Sequence, residues 1–507
     1  MEREDALYAA FKAKDSRFDG RFFVGISSTG IYCRPICWAK LAKRSNCTFF
    51  SSAAEAEQAG YRPCLLCRPE LAPGNALVDA KAELARKSVR LLEESCGKGQ
   101  SLEQLAKRLG CTGRHLRRVF LEECHVTPVQ YLQTCRLLLA KNLLTDTDLP
   151  VLEVAMAAGF GSLRRMNALF QKQYRLSPSA MRKQVSEGRR QNGAVTVTLG
   201  YRPPYCWEEI LAFFAGRAVA GVEKVEKGQY CRTVRLTDRG GKKCAGWVRV
   251  TQNQKKNTLS VTMSDTLVPV LSQVLSRIRQ MFDLCCDPDA VYDVLQVMDE
   301  LQPGLCVRGR RVPGCFDPFE TAVRAILGQQ ITVKAASTLA GRMAQNLGIP
   351  LETGIEGVNR IFPTACEIVA MGESIHERLG NLGIISARSS CILALAEALE
   401  RGEIQLEQSA VPEQEIGKMQ SIRGIGRWTA QYIAMRTMGW TDAFLETDAG
   451  VKRALPGCSP KELLVMAERW RPWRSYAVMN LWFKEKQNSA VHKHLSVSNG
   501  ENPSGLR

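Results

Sequence analysis

Apolar residues recur every three or four positions in two similar segments in the first half of the chain. In the first segment, Leu102, Leu105 and Leu109 form one helix face behind a capping-box serine, Ser101, and a glycine turn precedes a second helix. The same order of helix, glycine turn and helix returns at residues 151–174. This repetition predicts two helix-turn-helix modules.

After the second module, apolar and polar residues partly alternate, and further along the chain the apolar residues again recur at helical spacing. An α+β region is predicted, with strands at 195–199, 230–236, 247–251 and 258–263 and a helix at 207–217. Further on, helices are predicted at 319–327, 334–347, 365–370, 373–379, 386–401 and 412–419. The fold class is therefore multidomain and mainly α, with α+β parts.

The length of the chain indicates how many domains it has, and its charge indicates what kind of partner it binds. A chain of 507 residues is long enough for three or four domains with separate cores. Lysine and arginine outnumber aspartate and glutamate by 69 to 51, which gives a net charge of +18 and favours a polyanionic partner. The N-terminus lacks the basic and then apolar pattern of a signal peptide, and no long apolar run is present. We therefore expect a soluble intracellular protein that does not contact a membrane.

A glycine turn and a later aspartate suggest the first candidate site. Gly424 and Gly426 lie in a turn that opens a helix, where backbone N–H groups can hold a phosphate. Trp428 and Tyr432 are four residues apart, so they share one side of that helix. Asp448 follows, at the predicted start of the next helix. By itself this pattern is also compatible with a non-specific DNA-binding hairpin in which Asp448 only caps a helix.

The arrangement resembles the helix-hairpin-helix DNA base-excision glycosylases, in particular the AlkA-type alkyl-base glycosylases, over residues 195–485. The resemblance implies that Asp448 is the essential carboxylate and that Gly424 and Gly426 contact DNA. It also implies that Gln330 is the residue inserted beside an extruded base, where AlkA-type enzymes have a leucine. The implied base pocket consists of four aromatic residues, Trp428, Tyr432, Trp482 and Phe213; Phe213 could equally be an ordinary core residue.

The chemistry expected of such a site needs only one acid. A carboxylate can stabilise an oxocarbenium-like sugar and position water, and a base that is already cationic needs no proton to leave. Electron-rich ring faces would favour such a base. Bifunctional glycosylase/lyases of this family have a lysine where this chain has Trp428, so we expect a monofunctional DNA-3-methyladenine glycosylase.

Four of the 19 cysteines form two short pairs, Cys33 with Cys37 and Cys64 with Cys67. Two such pairs can close a tetrahedral Zn²⁺ site and stabilise a segment that is too small for a large core. The other cysteines are expected to be reduced and structural. From the spacing alone, a purely structural zinc knuckle remains an alternative.

The sequences around these pairs resemble the zinc domain of Ada-type DNA methyl-phosphotriester repair proteins. The resemblance implies that Cys33 accepts a methyl group from a DNA phosphotriester while it is bound to zinc, and that Arg34 lies close to DNA. Zinc would keep the sulfur as a nucleophilic thiolate. Methylation would remove one negative charge and strengthen DNA binding.

The two helix-turn-helix modules resemble the AraC-type DNA-binding domain over residues 90–183. Their recognition helices should begin near Thr112 and Gly161 and enter successive major grooves. Side chains of these helices are candidates for contacts with bases or phosphates, a choice that the sequence leaves open; they are Arg114, Arg117, Arg118, Arg164, Arg165 and Asn167.

Together these patterns predict five segments. They are an Ada-type zinc and methyl-acceptor domain (1–75), an AraC-type domain (90–185), an AlkA-like α+β subdomain (195–307), a helix-hairpin-helix glycosylase domain (308–488) and a disordered tail (489–507). The predicted function is repair of alkylated bases of the 3-methyladenine and 7-methylguanine type, combined with methylation-responsive transcriptional regulation. The alternative is a transcriptional regulator whose glycosylase-like half binds DNA but is inactive. Expected partners are alkylated double-stranded DNA, a promoter site and RNA polymerase, for a monomer in the bacterial cytoplasm at the nucleoid.

Overall fold

The computed structural model describes residues 2–14, 22–50, 56–57, 59–64, 66–67, 69, 84–85, 87–89, 91–93, 101–183, 193–238, 240–408 and 410–484. The chain divides into two compact units, one of residues 1–92 and 100–132 and the other of residues 93–99 and 133–507. The predicted tail at 489–507 lies outside the described residues.

The first unit begins with helix α1 (Glu2–Ala13) and a small sheet. The strands are β1 (Phe23–Ile26), β2 (Ile31–Cys33), β3 (Cys47–Phe50) and β4 (Arg62–Pro63), in the order β3-β1-β2-β4. Strand β4 is parallel to β2, and the other pairs are antiparallel. The buried side chains form small clusters that include several cysteines.

Six helices cover the two predicted helix-turn-helix modules. They are α2 (Leu102–Arg108), α3 (Gly113–Cys124), α4 (Pro128–Asp146), α5 (Val151–Ala157), α6 (Leu163–Tyr174) and α7 (Pro178–Lys183). The predicted capping box at Ser101 is present, and α3 and α6 begin after the N-caps Thr112 and Ser162. The boundary between the two compact units falls within α4.

A five-stranded antiparallel sheet forms the α+β region, in the order β5-β9-β8-β7-β6. The strands are β5 (Ala194–Gly200), β6 (Glu223–Glu226), β7 (Gln229–Thr237), β8 (Lys243–Asn253) and β9 (Thr258–Ser264), and helix α8 (Trp207–Ala215) packs against the sheet. The four predicted strands and the predicted helix are confirmed. The edge strand β6 and helices α9 (Leu271–Met281) and α10 (Pro288–Leu295) are additional elements that the sequence patterns did not predict.

The remainder is almost wholly helical, as predicted. The helices are α11 (Pro318–Leu327), α12 (Val333–Leu347), α13 (Ala365–Met371), α14 (Ser374–Gly380), α15 (Ser386–Glu400), α16 (Pro412–Gln420), α17 (Arg427–Thr437), α18 (Ala449–Ala454), α19 (Pro460–Ala467) and α20 (474–484). Two short antiparallel strands of two residues each, β10 (Ile349–Pro350) and β11 (Arg360–Ile361), lie between α12 and α13. Among the described residues, no helix is both long enough and apolar enough to cross a membrane.

Buried ion pairs connect the sheet to the helical region. Arg232 on β7 donates to Glu320 on α11 at 2.6 Å, and both side chains are almost fully buried. Arg324 on α11 pairs with Glu223 on β6 at 2.7 Å and with Glu320 at 3.1 Å. Because α11 also packs beside α17, this network sets the position of the elements that surround the aspartate.

Candidate functional site

Asp448 is the N-cap of α18. Its Oδ1 accepts hydrogen bonds from the backbone N–H groups of Gly450 at 2.8 Å and Val451 at 3.0 Å. These two bonds satisfy donors that a helix start would otherwise leave unpaired. The capping role considered from the sequence is therefore present, and it fixes the carboxylate in one orientation.

The same carboxylate receives two indole N–H groups. Nε1 of Trp482 donates to Oδ1 at 2.7 Å, and Nε1 of Trp428 donates to Oδ2 at 3.1 Å. Oδ1 thus accepts three hydrogen bonds, whereas Oδ2 accepts one and keeps a lone pair for a further partner. Gly450 allows this packing, because a Cβ there would lie 2.7 Å from Cδ1 of Trp482.

The four predicted pocket aromatics form one connected group. The rings of Trp428 and Tyr432 stack with centroids 5.2 Å apart and planes within 6°. Tyr432 lies 6.4 Å from Trp482, and Trp482 stacks on Phe213 at 6.3 Å and 20°. Phe213 is only 2% exposed, so it supports Trp482 from behind, whereas the other three rings are partly accessible.

Two arginines that were not among the predicted site residues lie against these rings. The Cζ of Arg217 is 3.8 Å from the ring centroid of Phe213 and 5.9 Å from that of Trp482. The Cζ of Arg436 is 4.7 Å from the centroid of Phe213 and 5.6 Å from that of Tyr432. Each arginine follows a predicted pocket aromatic by four positions. Residues with this spacing share one side of a helix, so the sequence could have indicated that both arginines lie beside the pocket.

The guanidinium groups change the electrostatics of the pocket. Burial lowers the pKa of Arg217 below its ordinary value. Burial alone would raise the pKa of Tyr432, but Arg436, Arg217 and Arg324 outweigh it and lower that pKa. Nη1 of Arg436 also donates to the Tyr432 hydroxyl oxygen at 2.6 Å. The pocket wall therefore combines ring faces with positive charge, whereas the sequence pattern indicated only the rings.

The predicted hairpin turn lies directly before α17. Gly424 has φ +100°, a left-handed value that favours glycine, whereas Gly426 is the N-cap of α17 with φ −82°. Both residues are exposed, and Ile425 is buried beneath the turn. The two glycines thus have different roles: Gly424 adopts the left-handed conformation that the turn requires, and Gly426 is the N-cap residue of α17.

The expected wedge residue, Gln330, occupies the loop between α11 and α12. It is exposed and has φ +58°. Its neighbour Gln329 donates from Nε2 to the Gly424 carbonyl at 2.7 Å and to Oγ1 of Thr429 at 3.0 Å. These bonds hold the loop against the hairpin turn.

The four predicted metal ligands come together in the first unit. The sulfur atoms of Cys33, Cys37, Cys64 and Cys67 all lie within 4.8 Å of one another. Tetrahedral thiolates with Zn–S distances of about 2.3 Å would lie about 3.8 Å apart, so the donor set fits Zn²⁺. Cys67 is partly exposed, whereas Cys33 is only 2% exposed.

Several basic residues lie close to these cysteines in the sequence, and one of them, Arg34, contacts the cluster. The Arg34 backbone N–H donates to Sγ of Cys67 at 3.3 Å, and its Nη1 donates to the Cys67 carbonyl at 3.1 Å. Arg62, Lys40 and Lys43 are exposed nearby in the sequence. Hydrogen bonds to a sulfur and surrounding positive charge both stabilise thiolates.

The candidate DNA-contact side chains of the two recognition helices are all exposed. On α3, Arg117 pairs with Glu103 at 3.0 Å, and Arg118 approaches Glu122 at 3.9 Å. The others, Arg114 on α3 and Arg164, Arg165 and Asn167 on α6, are also on the surface. Each helix can therefore present basic side chains to a phosphate backbone.

Family models match three parts of the chain. The metal binding domain of Ada matches residues 6–70, a helix-turn-helix domain matches residues 105–184, and the AlkA N-terminal domain matches residues 196–317. These matches support Zn²⁺ as the cofactor and DNA as a partner.

Three relatives cover different shares of the chain. The probable bifunctional transcriptional activator/DNA repair enzyme AlkA of Mycobacterium tuberculosis (strain H37Rv) is 32% identical over 488 residues, which is 94% of this chain and 96% of the relative. The DNA-3-methyladenine glycosylase 2 of Escherichia coli is 36% identical, over 57% of this chain and 97% of the relative. The bifunctional transcriptional activator/DNA repair enzyme Ada of Escherichia coli is 35% identical over 133 residues, 26% of this chain and 36% of the relative.

Proposed function

Since this chain belongs to the family of bifunctional transcriptional activator/DNA repair enzymes of the AlkA type, we propose that it releases alkylated bases from DNA and regulates transcription in response to methylation. The bases are of the 3-methyladenine and 7-methylguanine type. One observation carries the enzyme proposal: the Asp448 carboxylate is held by two indole N–H groups beside a wall of stacked rings.

Asp448 is the proposed catalytic residue. Cleavage of the N-glycosidic bond builds positive charge on the deoxyribose, and a fixed carboxylate stabilises that charge without reorganising. Oδ2 carries a single hydrogen bond, from Trp428. This oxygen has the capacity to accept a hydrogen bond from water and orient it toward the sugar.

The aromatic wall holds the extruded base. Trp428 and Tyr432 present stacked rings that are partly accessible, and Trp482 closes the group beside Asp448. A cationic base leaves as a neutral molecule, so this chemistry needs no general acid. With Trp428 at the position of the lyase lysine, the proposed enzyme is monofunctional and hydrolytic.

Asp448→Asn tests the enzyme proposal. The variant keeps an oxygen for the Gly450 and Val451 N–H groups, and asparagine is a good N-cap, so the fold should persist. Release of 3-methyladenine from alkylated DNA should fall at least about a thousandfold, because the charge that stabilises the sugar cation is lost. Chromatography of the released bases measures the effect.

DNA affinity serves as the control for that variant and should change little. Undiminished base release by Asp448→Asn would reject the catalytic role. Failure of the native protein to release any base would instead favour the alternative, a regulator with an inactive glycosylase-like half.

The proposed second activity is a single methyl transfer to Cys33. When bound, Zn²⁺ keeps its four cysteine ligands as thiolates at neutral pH. The Cys33 sulfur attacks the methyl carbon of a phosphate methyl triester and forms a thioether. The methyl C–O bond breaks, and the phosphodiester leaves with the electron pair. The cysteine cluster thereby loses one negative charge, which weakens its repulsion of DNA phosphates.

Mass spectrometry of protein treated with methyl-phosphotriester DNA tests this step. We expect one methyl group on the peptide that contains Cys33 and none after Cys33→Ser. Cys47→Ser, at a buried cysteine outside the four-sulfur cluster, is the matched control and should leave the methyl group on the Cys33 peptide. Methyl uptake at Cys37, Cys64 or Cys67 in the native protein would contradict the choice of Cys33.

The regulatory role requires DNA binding through the recognition helices. Exposed arginines on α3 and α6, together with the net charge of +18, support binding to a promoter site. We further propose that the protein works as a monomer in the cytoplasm at the nucleoid, and that RNA polymerase is its partner during activation. The five segments proposed from the sequence divide these activities along the chain.

A further inference from the structure

The side chain of Gln330, in the loop between α11 and α12, does not contribute a hydrogen bond to the described part of the fold. Gln330 is exposed, and the structure records no hydrogen bond of its carboxamide to any described residue. Its φ of +58° is a left-handed value, which costs an ordinary side chain about 1 kcal/mol. A strained conformation at an exposed loop tip persists only where its surroundings enforce it.

Hydrogen bonds of the residues on either side of Gln330 hold the loop in this conformation. Gln329 donates to the Gly424 carbonyl and to Thr429, and Nη2 of Arg388 donates to the Gln329 carbonyl at 2.5 Å. On the other side, Thr332 caps α12 through its side chain. The loop is therefore fixed to the hairpin turn, whose glycines the family resemblance places against DNA, and Gln330 is held at the exposed end of the loop.

Gln330 differs chemically from the leucine expected at this position. A leucine can only fill the space that an extruded base leaves behind. A carboxamide carries two N–H donors and one carbonyl acceptor, and the pairing edge of every DNA base combines donors with acceptors. A glutamine in the gap can therefore form hydrogen bonds with the base that has lost its partner.

We propose that Gln330 is a specificity-determining residue that hydrogen-bonds to the unpaired base opposite the extruded nucleotide. This inference rests on the proposed function, because it requires a nucleotide to leave the helix. It implies that the protein senses both strands at a lesion: the damaged base enters the ring-walled pocket, and Gln330 contacts the base left on the opposite strand. The hydrogen bonds offset part of the cost of unstacking and unpairing.

Binding to a stable abasic analogue tests the proposal without any chemistry. Two duplexes are compared, in which the analogue lies opposite thymine or opposite difluorotoluene, a thymine shape that lacks its hydrogen-bonding groups. The full-length protein should bind the thymine duplex about threefold to tenfold more tightly, the value of one or two neutral hydrogen bonds. Gln330→Met, which keeps the length of the side chain, should bind both duplexes equally.

The ratio of the two affinities cancels differences in overall folding and in non-specific DNA binding. Gln254→Met, at an exposed glutamine in the turn between β8 and β9, is the matched control and should keep the native ratio. Equal ratios for the native protein and Gln330→Met would overturn the proposal. A changed ratio in a protein that releases no base would leave Gln330 assigned and would refute the proposed enzyme instead.

Discussion

The side chain of Asp448 combines two functions that are often separate. As an N-cap it is fixed by two backbone N–H groups, and as a candidate catalyst it is fixed by two indoles. A carboxylate that is held by four hydrogen-bond donors needs little reorganisation when charge develops nearby. Structural capping thus contributes to catalysis because it orients the acid.

Arg217 gives a prediction about base selectivity at the same scale. The guanidinium of Arg217, packed against two pocket rings, would oppose the binding of an extruded cationic base by roughly 1–2 kcal/mol at an effective dielectric constant of about 20. Arg217→Gln should therefore raise the preference for 7-methylguanine over the neutral base hypoxanthine by about fivefold to thirtyfold. The ratio of kcat/KM for the two bases, in otherwise identical duplexes, measures this preference.

Arg217→Lys is the matched control, because it keeps the charge and should keep the native preference. An unchanged ratio in Arg217→Gln would show that the guanidinium does not act on the base. A loss of activity toward both bases in equal proportion would indicate a structural role for Arg217 in supporting Phe213 and Trp482.

Among the elements, α11 connects the sheet to the proposed DNA-facing loop. Its Glu320 and Arg324 lie in the buried network with Arg232 and Glu223, and its C-terminal end leads into the loop that carries Gln330. Two acids and two arginines balance one another in this network. Removal of one member leaves an uncompensated charge in a region that excludes water.

Arg232→Met should therefore lower the free energy of unfolding by about 3–5 kcal/mol. The double variant Arg232→Met/Glu320→Leu removes both members of one pair and should recover more than half of that loss, because well-packed apolar groups can replace a buried ion pair. Urea unfolding followed by tryptophan fluorescence measures both values. Strict additivity of Arg232→Met and Glu320→Leu would contradict the assigned coupling.

Across the whole molecule, the two compact units have separate hydrophobic clusters. The cysteine cluster belongs to the small core of the first unit, and the ring-walled pocket belongs to the larger cores of the second. A small sheet with so few buried residues depends on its metal, whereas the larger cores do not.

Zinc removal should consequently affect only one activity. After chelation at neutral pH, we expect residues 18–70 to lose protection from amide hydrogen exchange and methyl transfer to stop. The rate of 3-methyladenine release should stay within about twofold of its native value, because the second unit retains its own core. A parallel loss of base release on chelation, restored by added Zn²⁺, would show instead that the metal supports both activities.

Local patterns in the sequence were enough to predict most helices and strands. The capping box at Ser101, the alternation in β5 and the turn before α17 each depend on residues within a few positions of one another, so they are present in the sequence itself. The two short cysteine pairs are local for the same reason. Family resemblance then supplied candidate roles for Asp448 and the aromatic residues.

Other features depend on residues that are far apart in the chain and became visible only in the tertiary structure. Arg217 reaches Trp482, Gln329 bonds to Gly424, and Arg232 pairs with Glu320 across 88 positions. No periodicity specifies such contacts, because they arise when helices and sheet pack and bury polar groups that then need partners. The sequence determined the elements and the candidate chemistry, whereas packing decided the charge of the pocket and the exposed position of Gln330.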